Sequence, residues 1–156
     1  MSISALQAAK VACETSEWQL TNLQLQKILY LAHMVYAGRK GGERLIEGDD
    51  FEAWSYGPVL PSVYHHVSAF GARPVGNVFR RIASPPEGNE VKIIRDAVKA
   101  LGGTPPFRLV EFTHRPGGAW DRNYYNGIMG INIPHDDICE EYKIRFPNAE
   151  RESVPA

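Results

Sequence analysis

Long apolar runs are missing from this chain: none approaches the ~20 residues that a membrane-spanning helix needs. The opening Met1-Ser2-Ile3-Ser4 has no charged segment followed by an apolar one, so no export signal is expected. Cysteine is scarce. Cys13 and Cys139 lie far apart, and neither belongs to a Cys-x-x-Cys pair. That excludes a disulfide framework and points to two reduced thiols in a cytoplasmic protein. Neither sign of charge is in excess, with 17 Lys and Arg against 18 Asp and Glu. Broad phosphate-backbone binding needs a basic face, so nucleic acid is disfavoured as a partner. Gly41-Gly42 and Gly117-Gly118 lack the Lys and Ser/Thr that follow in a phosphate-binding loop, and no Gly-x-Ser-x-Gly elbow occurs.

What is present suits one globular domain. The chain has 156 residues, 44% of them apolar and 22% charged. A domain of that size buries about 70% of its unfolded surface without staples. Helical signals dominate. Ser4 with Gln7 forms a capping box for a helix from about Ala5 to Ser16, small-faced through Ala5, Ala8, Ala9 and Ala12. Thr21 with Gln24 forms a second box ahead of Leu25, Ile28, Leu29, Ala32 and Tyr36, one apolar stripe. Leu31 and Val35 widen the stripe, so this helix is expected to be buried on more than one side. Gly38 and then Gly41-Gly42 are expected to stop it.

Further helices are expected from about Pro61 to Gly71, from an Asn89 cap to Gly102-Gly103, after Thr104-Pro105, and from near Pro134. Residues 77–82 read as a possible strand, and 124–133 as irregular. Residues 148–156 read as a polar, frayed tail to a domain covering 1–147. The expectation is a mainly α, single compact domain of about six helices, with room for a small β-hairpin.

The chain is organised around one junction. Phe51-Glu52-Ala53-Trp54-Ser55-Tyr56-Gly57-Pro58-Val59 places three aromatic residues close together and then a Gly-Pro turn signal. Trp54, Tyr56, Tyr64 and Trp120 are the residue types that dominate binding hot spots, and equally those that fill cores. Residue type leaves both readings open.

Two other chemistries have residues in the sequence that could serve them. His65, His66, His114 and His135 with Asp136 and Asp137 are ligand types for a metal-dependent hydrolase. Adjacent His65 and His66 point about 100° apart on a helix, and the two aspartates suit a helix first turn regardless. A DNA-binding autoregulator would need a tighter helix-turn-helix than the long 38–58 connection allows.

Thr21-Asn22-Leu23-Gln24-Leu25-Gln26-Lys27-Ile28-Leu29-Tyr30 resembles the opening of the Panacea domain, the SocA-like or GepA-like antitoxin family of bacteria and phages. The resemblance continues through Ala53-Trp54, Tyr56-Gly57-Pro58-Val59, Pro61, and Val63-Tyr64, and then Thr113-His114 followed by Trp120. Family members often carry Pro directly before that Trp, where this chain has Ala119. The similarity runs from about Ile3 to Lys143. It implies a non-enzymatic antitoxin without metal or cofactor, made beside a toxin that it neutralises by direct contact. It also implies, for some members, an adaptor that delivers the toxin to an ATP-dependent protease. On that basis Trp54, Tyr56, Gly57, Pro58, Val59, Tyr64, His114 and Trp120 are the expected partner-binding residues. Gln26, Lys27 and Tyr30 are the expected structural motif behind them.

Overall fold

The computed structural model describes residues 2–148, so the expected tail beyond Asn148 lies outside the described residues. Its central element is a helix that solvent hardly touches. Leu25, Ile28, Leu29, Tyr30, Ala32 and Met34 are all buried, as are the polar Gln26, Lys27 and His33. A helix buried all round must be surrounded by other elements. It is the second helix (α2, Asn22–Arg39), and both halves of the Thr21–Gln24 capping box form at its start.

Around it pack α1 (Ala5–Thr15), α3 (Pro61–Val67, extended by a 3-10 turn at Ser68–Phe70), α4 (Asn89–Leu101), α5 (Pro106–Thr113) and α7 (His135–Arg145). A five-residue helix, α6 (Ala119–Asn123), docks on α7. The alanine face of α1 is fully buried, and its Ser4–Gln7 box is made in both directions. A short parallel pair joins β1 (Ile3–Ser4) to β2 (Ile46–Glu47). The aromatic junction folds as an antiparallel hairpin, β3 (Glu52–Trp54) with β4 (Gly57–Val59), in which Trp54 faces Gly57 across the ladder. Residues 131–133 run along its other edge. The Ala53 N–H donates to the Ile131 carbonyl at 2.9 Å, and the Ile133 N–H donates to the Phe51 carbonyl at 2.8 Å.

The fold is the expected mainly helical domain with a small hairpin, and four local details differ. Gly38 does not stop α2, which continues to Arg39. Its missing side chain instead admits the Tyr142 ring, whose Cγ lies 2.1 Å from where a Cβ would stand. Asn89 is the first residue of α4 and not its cap, which is Gly88. Thr104 does not cap α5 either; its carbonyl accepts a 3.0 Å bond from Gln24 Nε2, and the helix begins at Pro106. Residues 77–82 form no strand, because side chains hold them. Phe79 is buried against Trp18 and His66, and Lys10 Nζ donates to the Ile82 carbonyl at 2.6 Å. The short α6 raises the count to seven α-helices among the described residues, against about six expected.

Candidate functional site

The hairpin is held by polar side chains that rise from α2. Lys27 Nζ donates to the Pro58 carbonyl at 2.8 Å, and Gln26 Oε1 accepts the Leu60 N–H at 2.8 Å. Gln26 Nε2 reaches Asn22 Oδ1 at 3.2 Å. Pro58 has no N–H to lose, so it serves an outer strand without leaving a donor unpaired. Gly57 sits at φ +113, and a Cβ there would stand 2.6 Å from Thr113 Oγ1 and 3.0 Å from Lys27 Cε. The turn therefore presses on α2 and α5 through a position only glycine fills comfortably.

Burial pushes the Lys27 ammonium down to a pKa of about 7. No carboxylate forms an ion pair with it among the described residues. Tyr30, one turn further along α2, donates to Glu141 Oε1 at 2.8 Å. The same oxygen accepts the Ala119 N–H at 2.8 Å, and Arg145 Nε donates to Glu141 Oε2 at 2.7 Å. One fully buried carboxylate thus ties α2, α6 and α7 together. Burial, and then the Glu141 charge, raises the Tyr30 hydroxyl well above its ordinary pKa.

On the outer side of this framework the hairpin opens a groove of about 310 Å³. Trp54, Tyr56 and Val59 form one side, Tyr64 and Ser68 another, and Asn22, Leu23, Gln26 and Lys27 of α2 the remainder. The Trp54 and Tyr64 rings lie 4.8 Å apart, and Trp54 Nε1 donates to Glu52 Oε1 at 2.9 Å. Tyr56, at the tip of the turn, is 60% exposed, and its ring meets Phe107, 64% exposed, at 6.2 Å. Phe107, in the first turn of α5, extends the aromatic surface beyond the residues that line the groove. Exposure is settled by how α5 docks, which its spacing does not carry.

His114 and Trp120 belong to the hairpin's other flank. Their rings stack at 3.6 Å and 3°, Tyr124 continues the stack at 4.7 Å, and Trp120 Nε1 donates to the Trp54 carbonyl at 2.7 Å. Burial, and then the Lys27 charge, holds His114 below its ordinary pKa, and its Nε2 is buried without a hydrogen-bond partner among the described residues. Of the expected partner-binding residues, Trp54, Tyr56, Val59 and Tyr64 therefore line one groove. Gly57 and Pro58 shape its turn, and His114 and Trp120 brace the strand from beside it.

The candidate metal ligands are dispersed. His66 Nε2 contacts the Val78 carbonyl at 2.6 Å, and His135 contacts His33. Among the described residues no group of three His, Cys, Asp or Glu side chains is placed to hold a cation. His33, which the sequence did not single out, accepts the Ile46 N–H at Nδ1 (3.2 Å). Its Nε2–H then donates to His135 Nδ1 at 3.2 Å, and His135 Nε2–H to the Gly42 carbonyl at 2.8 Å. Burial, with His135 and Arg44 adding to it, pushes His33 down to about 3, so its imidazole is neutral. No described helix is long and apolar enough to cross a membrane.

A family model described as "Antitoxin SocA-like, Panacea domain" matches residues 25–121, which contain the hairpin, α5 and most of α2. Antitoxin SocA of Caulobacter vibrioides (strain NA1000 / CB15N) is 35% identical over 139 residues, covering 81% of this chain and 73% of that protein. No solved structure matches significantly.

Proposed function

The chain belongs to the SocA-like, Panacea-domain antitoxin family, and from that premise we propose that it neutralises a cognate toxin by gripping it at the groove beside Trp54. The observation that carries this reading is the pre-shaped aromatic rim: Trp54 and Tyr64 in contact, with Tyr56 and Phe107 standing exposed outside them. Tyr and Trp bring large contact area at small entropic cost, and they dominate binding hot spots. Rigidity adds to this. The Lys27 and Gln26 bonds fix the turn before the toxin arrives, so less ordering is left to oppose binding.

The action is masking, a contact that covers the toxin's working surface without chemistry by this chain. Delivery of the toxin to an ATP-dependent protease would use the same contact and end in the toxin's removal. The place of action is the cytoplasm, where Cys13 and Cys139, both free, stay reduced.

Co-expression with the reading frame that adjoins the gene, followed by a pull-down, tests the reading. Relief of toxicity together with a stable complex is the expected result. Relief with disappearance of the toxin and no stable complex would assign delivery. A neighbour that is harmless alone would contradict an antitoxin role at this locus.

A further inference from the structure

A second apolar groove opens where α5 and α7 meet the far half of α2. Leu31 and Met34 of α2 form its floor, and Phe112 and Phe146 its lips, enclosing about 270 Å³. The lips are unusually bare for phenylalanine, 53% and 43% exposed. Two exposed aromatic rings flanking one apolar cleft present apolar surface that a partner side chain would cover. This groove shares no lining residue with the one beside Trp54, and on α2 it begins one turn beyond Lys27.

Its charge is one-sided. The ionisable groups lining it are Arg115 and Arg145, with no carboxylate. Arg145 is already engaged: it pairs with Glu141, donates to the Phe112 carbonyl, and lies 5.4 Å from the Phe112 ring centre. Arg115 is exposed, and its guanidinium makes no ion pair or hydrogen bond among the described residues. A guanidinium presents paired N–H groups that match a carboxylate as a fork, and an ammonium cannot copy this. Arg and Phe are also both enriched at protein–protein interfaces.

We propose that this groove docks an amphipathic segment of a partner protein, with an apolar side chain seated between Phe112 and Phe146 and a carboxylate forked on Arg115. The occupant is acidic because an acid is what the groove lacks and what its free cation selects. A basic segment would meet the Arg115 guanidinium, which no carboxylate among the described residues offsets. The surface is independent of the Trp54 groove, so the chain can hold two segments at once.

The test uses the full chain and a fluorescein-labelled peptide of about 14 residues, with Leu at helical spacing and Glu on the flanking positions. Its counterpart carries Lys in place of every Glu. Fluorescence anisotropy is read for the parent chain and for Phe112→Ala, Arg115→Glu and Trp54→Ala, each first shown by circular dichroism to be folded. The acidic peptide is expected to bind the parent, and Phe112→Ala and Arg115→Glu each to weaken it roughly tenfold or more. Trp54→Ala is expected to leave binding unchanged, and Arg115→Glu to favour the Lys peptide. Failure of the acidic peptide to bind overturns the proposal. So does equal binding of the Lys peptide, which would mean apolar adhesion alone. Loss of binding in Trp54→Ala places the peptide in the other groove. Concentration-dependent dimerisation abolished by Phe112→Ala would show a second copy of the chain as the occupant and equally overturn it.

Discussion

Lys27 lies beneath the hairpin with the Pro58 carbonyl as its hydrogen-bond partner, and burial lowers its pKa from 10.5 to about 7. Between those values the unfolded chain holds a proton that the folded chain has released, so stability rises with pH there. Two buried acids oppose it at the alkaline end. Burial pushes Cys13 from 9.0 up to about 12 and raises Tyr30 well above 10.0, so above pH 9 the folded chain keeps protons that the unfolded one loses. The clear window is pH 7 to 9, bounded by the Lys27 and Cys13 values. Urea unfolding across it should show a slope of up to about 1.4 kcal/mol per pH unit. Lys27→Met should flatten that slope; an unchanged slope would mean the ammonium stays charged. On the acid side His33 acts in the same sense, with stability falling as pH drops from 6.5 towards 3. Gly57→Ala belongs to this scale too. Left-handed strain and the contact with Thr113 should together cost about 3 kcal/mol in thermal or urea unfolding.

α2, α6 and α7 are tied together by Glu141, which accepts bonds from α2, from the start of α6 and from within α7. Replacing it with Gln leaves the Arg145 charge buried and unanswered. Such a change should cost about 3 kcal/mol, and it should alter the near-UV circular dichroism of Trp120, which α6 carries. Unchanged stability would show that the carboxylate is not the tie between these helices. What could be read from sequence at this scale was local. Both capping boxes lie within four consecutive residues, and each forms as spelled. The purpose of Gly38 was not legible, because the Tyr142 ring that needs it is brought there by tertiary packing. Residues 77–82 have strand-like composition but no partner strand, and anchors from Lys10 and His66 decide their path. Glu141 gave no signal either, since an acidic residue on a polar helix reads as surface until its three donors are in place.

Across the whole molecule the near-balance of charge leaves recognition to shape and aromatic surface rather than to long-range attraction. Trp54, Tyr56 and Tyr64 were identifiable by type and by their place around the Gly-Pro turn. Their separation from His114 and Trp120, on the hairpin's other flank, was not, because it depends on which way each side chain leaves the strand. The groove beside Trp54 is the proposed seat of the toxin. The most direct measurement is the toxin affinity and cellular protection given by a Trp54→Ala, Tyr56→Ala double variant whose urea midpoint is first compared with the parent's. Tyr56 is 60% exposed and Trp54 half-buried, so the fold should survive. Affinity should fall roughly 30-fold or more for each anchor removed, with protection lost. A folded double variant that binds and protects as well as the parent would contradict the account.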